Sequence, residues 1–122
     1  MKLRTLLVGA VASLLLTACG GGSTPKDVTN SFVQALADGK CDDAKGMAVE
    51  TALETVQGSI DAGCTAYKTE IVSTDCTESG ETANCTCVEK RDGMDMTFKY
   101  DLKKVDGAWK VSNYQKDFGM EM

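Results

Sequence analysis

The chain has 122 residues, 43% of them hydrophobic and 6% aromatic, with 13 Lys and Arg against 18 Asp and Glu, six Cys and no His. That length gives one domain, and the acidic balance excludes a nucleic-acid binder, which needs a Lys/Arg excess to neutralise phosphates. Without His there is no Ser-His-Asp triad, no Cys-His pair and no His-ligated zinc.

Lys2 and Arg4 precede an apolar run from Leu6 to Leu16, interrupted only by the small residues Gly9 and Ser13. A basic start, an apolar stretch of about 11 residues and a small-residue cleavage site read as a secretory signal. The run falls short of the roughly 20 apolar residues that span a bilayer. Leu16-Thr17-Ala18-Cys19 resembles the bacterial lipobox. The resemblance implies that residues 1–18 are removed and that Cys19 carries a diacylglyceryl group on sulfur, with palmitate-type acylation of its new amine. Each buried methylene adds about 0.8 kcal/mol, and stable anchoring takes more than one chain. Gly20 stands where an Asp favours inner-membrane retention in Gram-negative lipoproteins, so the resemblance points to the outer membrane, facing the periplasm. Loss of Lys2 and Arg4 makes the mature domain more acidic still, so the lipid is the membrane contact and no basic patch assists it.

Residues 19–24 form the lipidated Cys and a flexible Gly/Ser tether, and residues 25–122 form the domain. Thr24 as N-cap, Pro25 at N1 and Asp27 at N3 open a helix. Val28, Phe32, Ala35 and Leu36 fall on one face of it, and Gly39 is the expected C-cap. A second helical region runs from Cys41 to Met47, with Asp42-Asp43 as its cap. A third carries Val49, Leu53, Val56 and Ile60 at helical spacing and ends at Gly63. Gly58 weakens it by about 1 kcal/mol relative to Ala.

From Thr65 the apolar period changes from 3.6 to 2. Strands are predicted over Tyr67 to Asp75, with Ile71 and Val72 on opposite faces, and over Ala83 to Lys90. A third places Met94, Met96, Phe98, Tyr100 and Leu102 on one half-buried face. Asp106-Gly107 fits a type I′ turn, and the last strand runs from Ala108 to Tyr114. Two-residue loops at Asp92-Gly93 and Asp106-Gly107 place Cys87 opposite Phe98, Cys85 opposite Tyr100, Leu102 opposite Val111 and Lys104 opposite Trp109. Cys85, Cys87, Phe98, Tyr100, Leu102 and Val111 then share one face, which the helices must cover. The expected fold is α+β: N-terminal helices packed on a curved antiparallel sheet of about four strands.

Two stretches carry a family resemblance. Val28 to Lys40 with Asp43-Ala44-Lys45, and the ending from Tyr100 to Val111 through Asp106-Gly107-Ala108-Trp109, resemble small bacterial lipoproteins with a lumazine-binding-like domain of unknown function. These sit in the cystatin-like, nuclear-transport-factor-like cone superfamily. The resemblance covers roughly residues 25–115 and implies the cone fold. It carries no activity, since one fold hosts many functions.

Removal of Cys19 into the anchor leaves five cysteines in an oxidising compartment: Cys41, Cys64, Cys76, Cys85 and Cys87. Spacing favours Cys41–Cys64 across a helical hairpin and Cys76–Cys85 across a turn, with Cys87 left over; Cys76–Cys87 is the competing pairing. Cys85, Cys87, Met94 and Met96 could instead clamp a soft, copper-type metal, with Met120 and Met122 as further thioethers at the very end of the chain. Disulfides and packing explain the same residues more simply, so no metal and no cofactor beyond the lipid are expected. Tyr67, Phe98, Tyr100 and Trp109 are the candidate pocket residues. Some cone-fold relatives are isomerases or dehydratases that work with an acid–base pair inside the cone. No Asp or Glu falls on the apolar face of the Met94–Leu102 strand, so a non-catalytic domain binding a small molecule or an envelope protein is the expectation. An enzyme would require a pocket lined by a buried carboxylate.

Overall fold

The computed structural model describes residues 24–117. The expected signal segment, Cys19, the tether through Ser23 and the terminal Met120-Glu121-Met122 lie outside the described residues. Among the described residues no helix is long and apolar enough to cross a membrane.

The first helix, α1 (Pro25–Ala37), begins as the sequence predicts. Thr24 Oγ1 accepts from the Asp27 N–H at 3.1 Å, and Asp27 Oδ2 accepts from the Thr24 N–H at 3.5 Å. This reciprocal cap satisfies two N–H groups that a helix start leaves without intrahelical partners. The C-cap is Asp38, one residue earlier than expected. Gly39 follows at φ +77°, where a Cβ would also approach Ala66 Cβ to 3.2 Å. Helix α2 (Cys41–Gly46) has Lys40 as its N-cap with no side-chain hydrogen bond. Asp42 and Asp43 therefore do not cap it. They occupy its first turn, where they complement the dipole. Helix α3 (Glu50–Asp61) buries Ala52 and Val56.

Four strands follow: β1 (Glu70–Ser79), β2 (Thr82–Arg91), β3 (Met94–Val105) and β4 (Ala108–Asp117), in the order β1-β2-β3-β4, all antiparallel. Asp92-Gly93 and Asp106-Gly107 have φ of 52°, 80° and 53°, 83°, the paired positive values of type I′ turns. The predicted register holds at Cys87↔Phe98, Cys85↔Tyr100, Leu102↔Val111 and Lys104↔Trp109. Strand β1 differs from expectation. It starts at Glu70, because Tyr67 N–H donates to Ala37 O at 2.8 Å and holds the preceding segment against the end of α1. A bulge between Ile71 and Ser73 leaves Val72 half exposed. Met94 also departs from expectation: it sits at the β2–β3 turn, past the reach of the helices, and is 61% exposed.

The helices cover the inner face of the sheet, α1 across β1, β2 and β4, and α3 against β4. Phe32, Val33, Val56, Cys85, Cys87, Tyr100, Leu102 and Val111 form the core. Beyond α2 the chain runs beside β4: Val49 N–H donates to Val111 O and Val111 N–H to Met47 O, both at 2.8 Å. That bridge covers part of an otherwise open sheet edge.

Two disulfides close the fold, Cys41–Cys64 joining the ends of the helical hairpin and Cys76–Cys85 joining directly opposed residues of β1 and β2. Cys87 stays outside a disulfide and fully buried. The Thr74 hydroxyl donates to Asn30 Oδ1 at 2.6 Å and lies 3.6 Å from Cys87 Sγ, linking α1, β1 and β2. Burial pushes the Cys87 thiol up, so it reacts slowly as well as being hard to reach.

Alkylation of the native protein should leave Cys87 unmodified, and alkylation in denaturant should label one cysteine among residues 24–117. Peptide mass mapping should then recover Cys41–Cys64 and Cys76–Cys85; a Cys76–Cys87 peptide would contradict the register. Phe32→Ala should cost about 3–5 kcal/mol in urea unfolding, the range for truncating a fully buried Phe.

Candidate functional site

Side chains on a strand alternate faces. On β2 this sends Ala83, Cys85, Cys87 and Glu89 inward, and all four are buried. The first three suit the core. Glu89 is a carboxylate with no exposed surface. Its Oε1 accepts from Arg91 Nε at 3.0 Å and from Thr69 Oγ1 at 2.7 Å. Its Oε2 has no hydrogen-bond partner among the described residues. Burying a carboxylate is costly unless it is paired and hydrogen-bonded. Here one oxygen is served and the other is not. Thr29 Oγ1 is the other buried side-chain oxygen without a partner among the described residues, but it is a neutral hydroxyl and lies outside the cavity wall.

Arg91, next in the same alternation, sits at the strand end with its side chain 25% exposed. Its guanidinium carbon is 4.2 Å from the Tyr67 ring centroid and 5.1 Å from that of Phe98. One of its terminal nitrogens donates to Tyr67 Oη at 3.2 Å. The guanidinium is thus held by two ring faces and one carboxylate, a geometry that stabilises cations.

These groups line a cavity of about 290 Å³ between the C-terminal parts of α1 and α3 and the β2–β3 end of the sheet. Val33 and Leu36 supply its apolar side, and the Cys41–Cys64 disulfide forms part of its wall. Tyr100 and Tyr114 stack behind it, centroids 5.6 Å apart and nearly parallel. Burial, then the nearby Glu89 charge, raises the Tyr100 phenol. Burial pushes Tyr114 up to about 12. Burial also raises Tyr67, with Arg91 opposing. All three phenols are neutral at physiological pH. The wall therefore combines a carboxylate residue with one unserved oxygen, neutral hydroxyls and aromatic faces. It can hold a small molecule and fix its orientation through a hydrogen-bond donor.

Of the four candidate pocket residues, Tyr67, Phe98 and Tyr100 line the cavity. Trp109 does not. It pairs with Lys104 beside the β3–β4 turn, five residues along the strand from Tyr114 or roughly 16 Å away, and Lys104 Nζ lies 5.3 Å from its ring centroid. The soft-metal set is not assembled either. Cys85 is consumed by its disulfide and Met94 points to solvent. Among the described residues no group of three or more His, Cys, Asp or Glu is placed to hold a metal ion.

Three site residues escaped the sequence reading. Glu89 and Arg91 continue the alternation from Cys85 and Cys87, so the signal was present on β2, whereas acid–base groups were sought on β3. Tyr114 is hidden by a bulge. Asp101 pairs with Asn113 but Leu102 with Val111, leaving Ser112 as an extra residue on β4. Its hydroxyl donates to Asp101 O at 3.1 Å. The extra residue reverses the phase of the strand, turning Tyr114 inward beside Phe32, whose ring centroid is 5.1 Å away.

No protein-family model and no curated protein matches the chain. Solved structures do. An NTF2-like protein with a cystatin-like fold from Novosphingobium aromaticivorans is 12% identical with a TM-score of 0.56, the match covering 99% of this chain and 94% of that one. A de novo designed protein with a curved β-sheet is 12% identical with a TM-score of 0.51, covering 76% and 98%. An NTF2-like protein of unknown function from Shewanella oneidensis is 13% identical with a TM-score of 0.47, covering 74% and 100%. At these identities the likeness establishes the fold: three helices followed by a curved four-stranded antiparallel sheet, the NTF2-like, cystatin-like cone.

The phenols give the site a pH signature. Unfolded, they ionise near 10; folded, they hold their protons to higher pH. Above pH 10 the native state binds more protons than the unfolded state, so stability falls as pH rises. The urea midpoint should be flat from pH 7 to about 8.5 and should drop by pH 11. Tyr114→Phe should shrink that drop; an unchanged pH profile would remove Tyr114 from the buried cluster.

Proposed function

We propose that this is a lipid-anchored protein of the bacterial cell envelope whose domain binds a small molecule in the cavity between helices and sheet, and does not transform it. One observation carries the binding half: the cavity wall contains a fully buried carboxylate, Glu89, with one oxygen that lacks a partner among the described residues. A ligand donor would complete it. Supporting the non-catalytic half, Glu89 is the acidic residue in the wall, and its other oxygen is engaged by Arg91 and Thr69. The anchoring half rests on the lipobox-like Leu16-Thr17-Ala18-Cys19 and the Gly/Ser tether behind it.

An acid–base enzyme is the second reading, favoured because the buried carboxylate that such an enzyme needs is present and the neutral phenol of Tyr100 shares its cavity. A copper-type site keeps no assembled ligand set among the described residues.

Native mass spectrometry of residues 20–122, exported to a periplasm without the lipid, tests the binding reading. Two bridges should lower the mass by about 4 Da, and a co-purified or added small molecule should be retained and released chemically unchanged. Recovery of a converted product would favour the enzyme. In the full chain, metabolic labelling with a fatty-acid probe should mark the wild-type protein and not Cys19→Ser; an unlabelled wild-type protein would refute the lipid anchor.

A further inference from the structure

The ligand class can be argued from the one side chain that already occupies the mouth of the cavity. We propose that the cavity takes its ligand by a protonated amine, with Glu89 Oε2 as counter-charge and the Tyr67 and Phe98 rings as walls, and that Arg91, on Glu89 Oε1, is the protein's own cation in the adjoining seat. This rests on the binding reading above and names the chemistry of the same site.

Arg91 shows what the seat accepts. Its guanidinium lies over both rings, and its Nε reaches Glu89 Oε1. It leaves the second carboxylate oxygen unserved, so there is a second cation position on the same carboxylate. A carboxylate ligand would bring like charge against Glu89 at close range and would have to reach the three Arg91 donors that Glu89 and Tyr67 do not use. A ligand without a donor would leave Oε2 buried and unpaired, the costly half of any hydrogen-bond exchange. An ammonium satisfies the oxygen, gains the ring quadrupoles and enters a protein whose net charge of −5 draws cations toward it. The cavity of about 290 Å³ sits at the small end of ligand pockets and suits a molecule of about one ring with a short arm.

Three probes sharing one ring and a two-carbon arm isolate the head group: 2-phenylethylamine, 2-phenylethanol and phenylacetate, titrated calorimetrically into the exported domain. The amine should bind at least about tenfold more tightly than the alcohol, with phenylacetate weakest. Glu89→Gln should erase the preference. Arg91→Gln should strengthen amine binding several-fold, because the competing cation is gone; a purely structural Arg91 would give no gain. If the alcohol or the acid binds as well as the amine, the ammonium inference falls and the binding cavity stands. If none of the three binds the wild-type domain at about 10 mM, both fall. Should Glu89→Gln fail to fold, the wild-type ranking and Arg91→Gln decide alone, and an amine affinity unchanged or lowered in Arg91→Gln overturns the proposal.

Discussion

The domain depends on where one ring goes. Phe32 leaves the middle of α1 with no exposed surface and meets Tyr100 edge-on, with centroids 6.1 Å apart, and Tyr114 at 5.1 Å. It joins the helical layer to β3 and β4, the strands that carry the aromatic wall. It also backs the cavity, since the two tyrosines it braces form the rear of the site. In a chain with only seven aromatic residues (three Phe, three Tyr, one Trp), this cluster is at once core and pocket. Packing of α1 and shape of the site are therefore not separable: whatever shifts Phe32 also shifts the rings facing Glu89.

The second constraint is the carboxylate. Glu89 is tolerated in the core because two stretches of chain brace it. Strand β2 supplies Arg91 two residues on. The segment before β1 supplies the Thr69 hydroxyl, and Tyr67 from the same segment holds the guanidinium. That segment is not a regular element, so its placement needs other restraints. Tyr67 N–H is bonded to the end of α1, and Cys64, three residues earlier, is tied to Cys41. The Cys41–Cys64 disulfide thus does more than limit the unfolded ensemble. It fixes the irregular stretch whose side chains satisfy the buried charge.

Most of the fold was legible because its determinants are local. Thr24, Pro25 and Asp27 mark a helix start through the hydrogen bonds they make within one turn. Asp92-Gly93 and Asp106-Gly107 set the register of three strands through positive φ alone. Opposition of Cys76 and Cys85 is set separately, at the β1–β2 turn where Ser79 pairs with Thr82. Failures came where the period breaks. The extra residue Ser112 reverses the face of β4, so simple alternation assigns Asn113 rather than Tyr114 to the interior. The bulge after Ile71 likewise frees Val72 from either face. Bulges are long-range compromises between twist and packing and leave no short motif in sequence. The likeness to a designed protein with a curved β-sheet at 12% identity fits this division: pattern and turn chemistry specify the cone, while individual side chains are free to vary.

That freedom is what makes Glu89 informative. Position 89 faces inward beside Cys87 on a strand whose other inward residues are small or apolar. An aliphatic side chain there would satisfy the pattern, need no partner from Arg91 or Thr69, and add to a core with few large residues. Replacing a buried ion pair by packed apolar groups is commonly neutral or stabilising. The carboxylate therefore gains nothing for the fold that a Leu would not supply, and it leaves one oxygen unserved at the edge of a cavity. Local rules that a protein breaks against its own stability tend to mark the place where it meets something else. In this domain Glu89 is where they break, and the missing partner is a hydrogen-bond donor that the described residues do not provide.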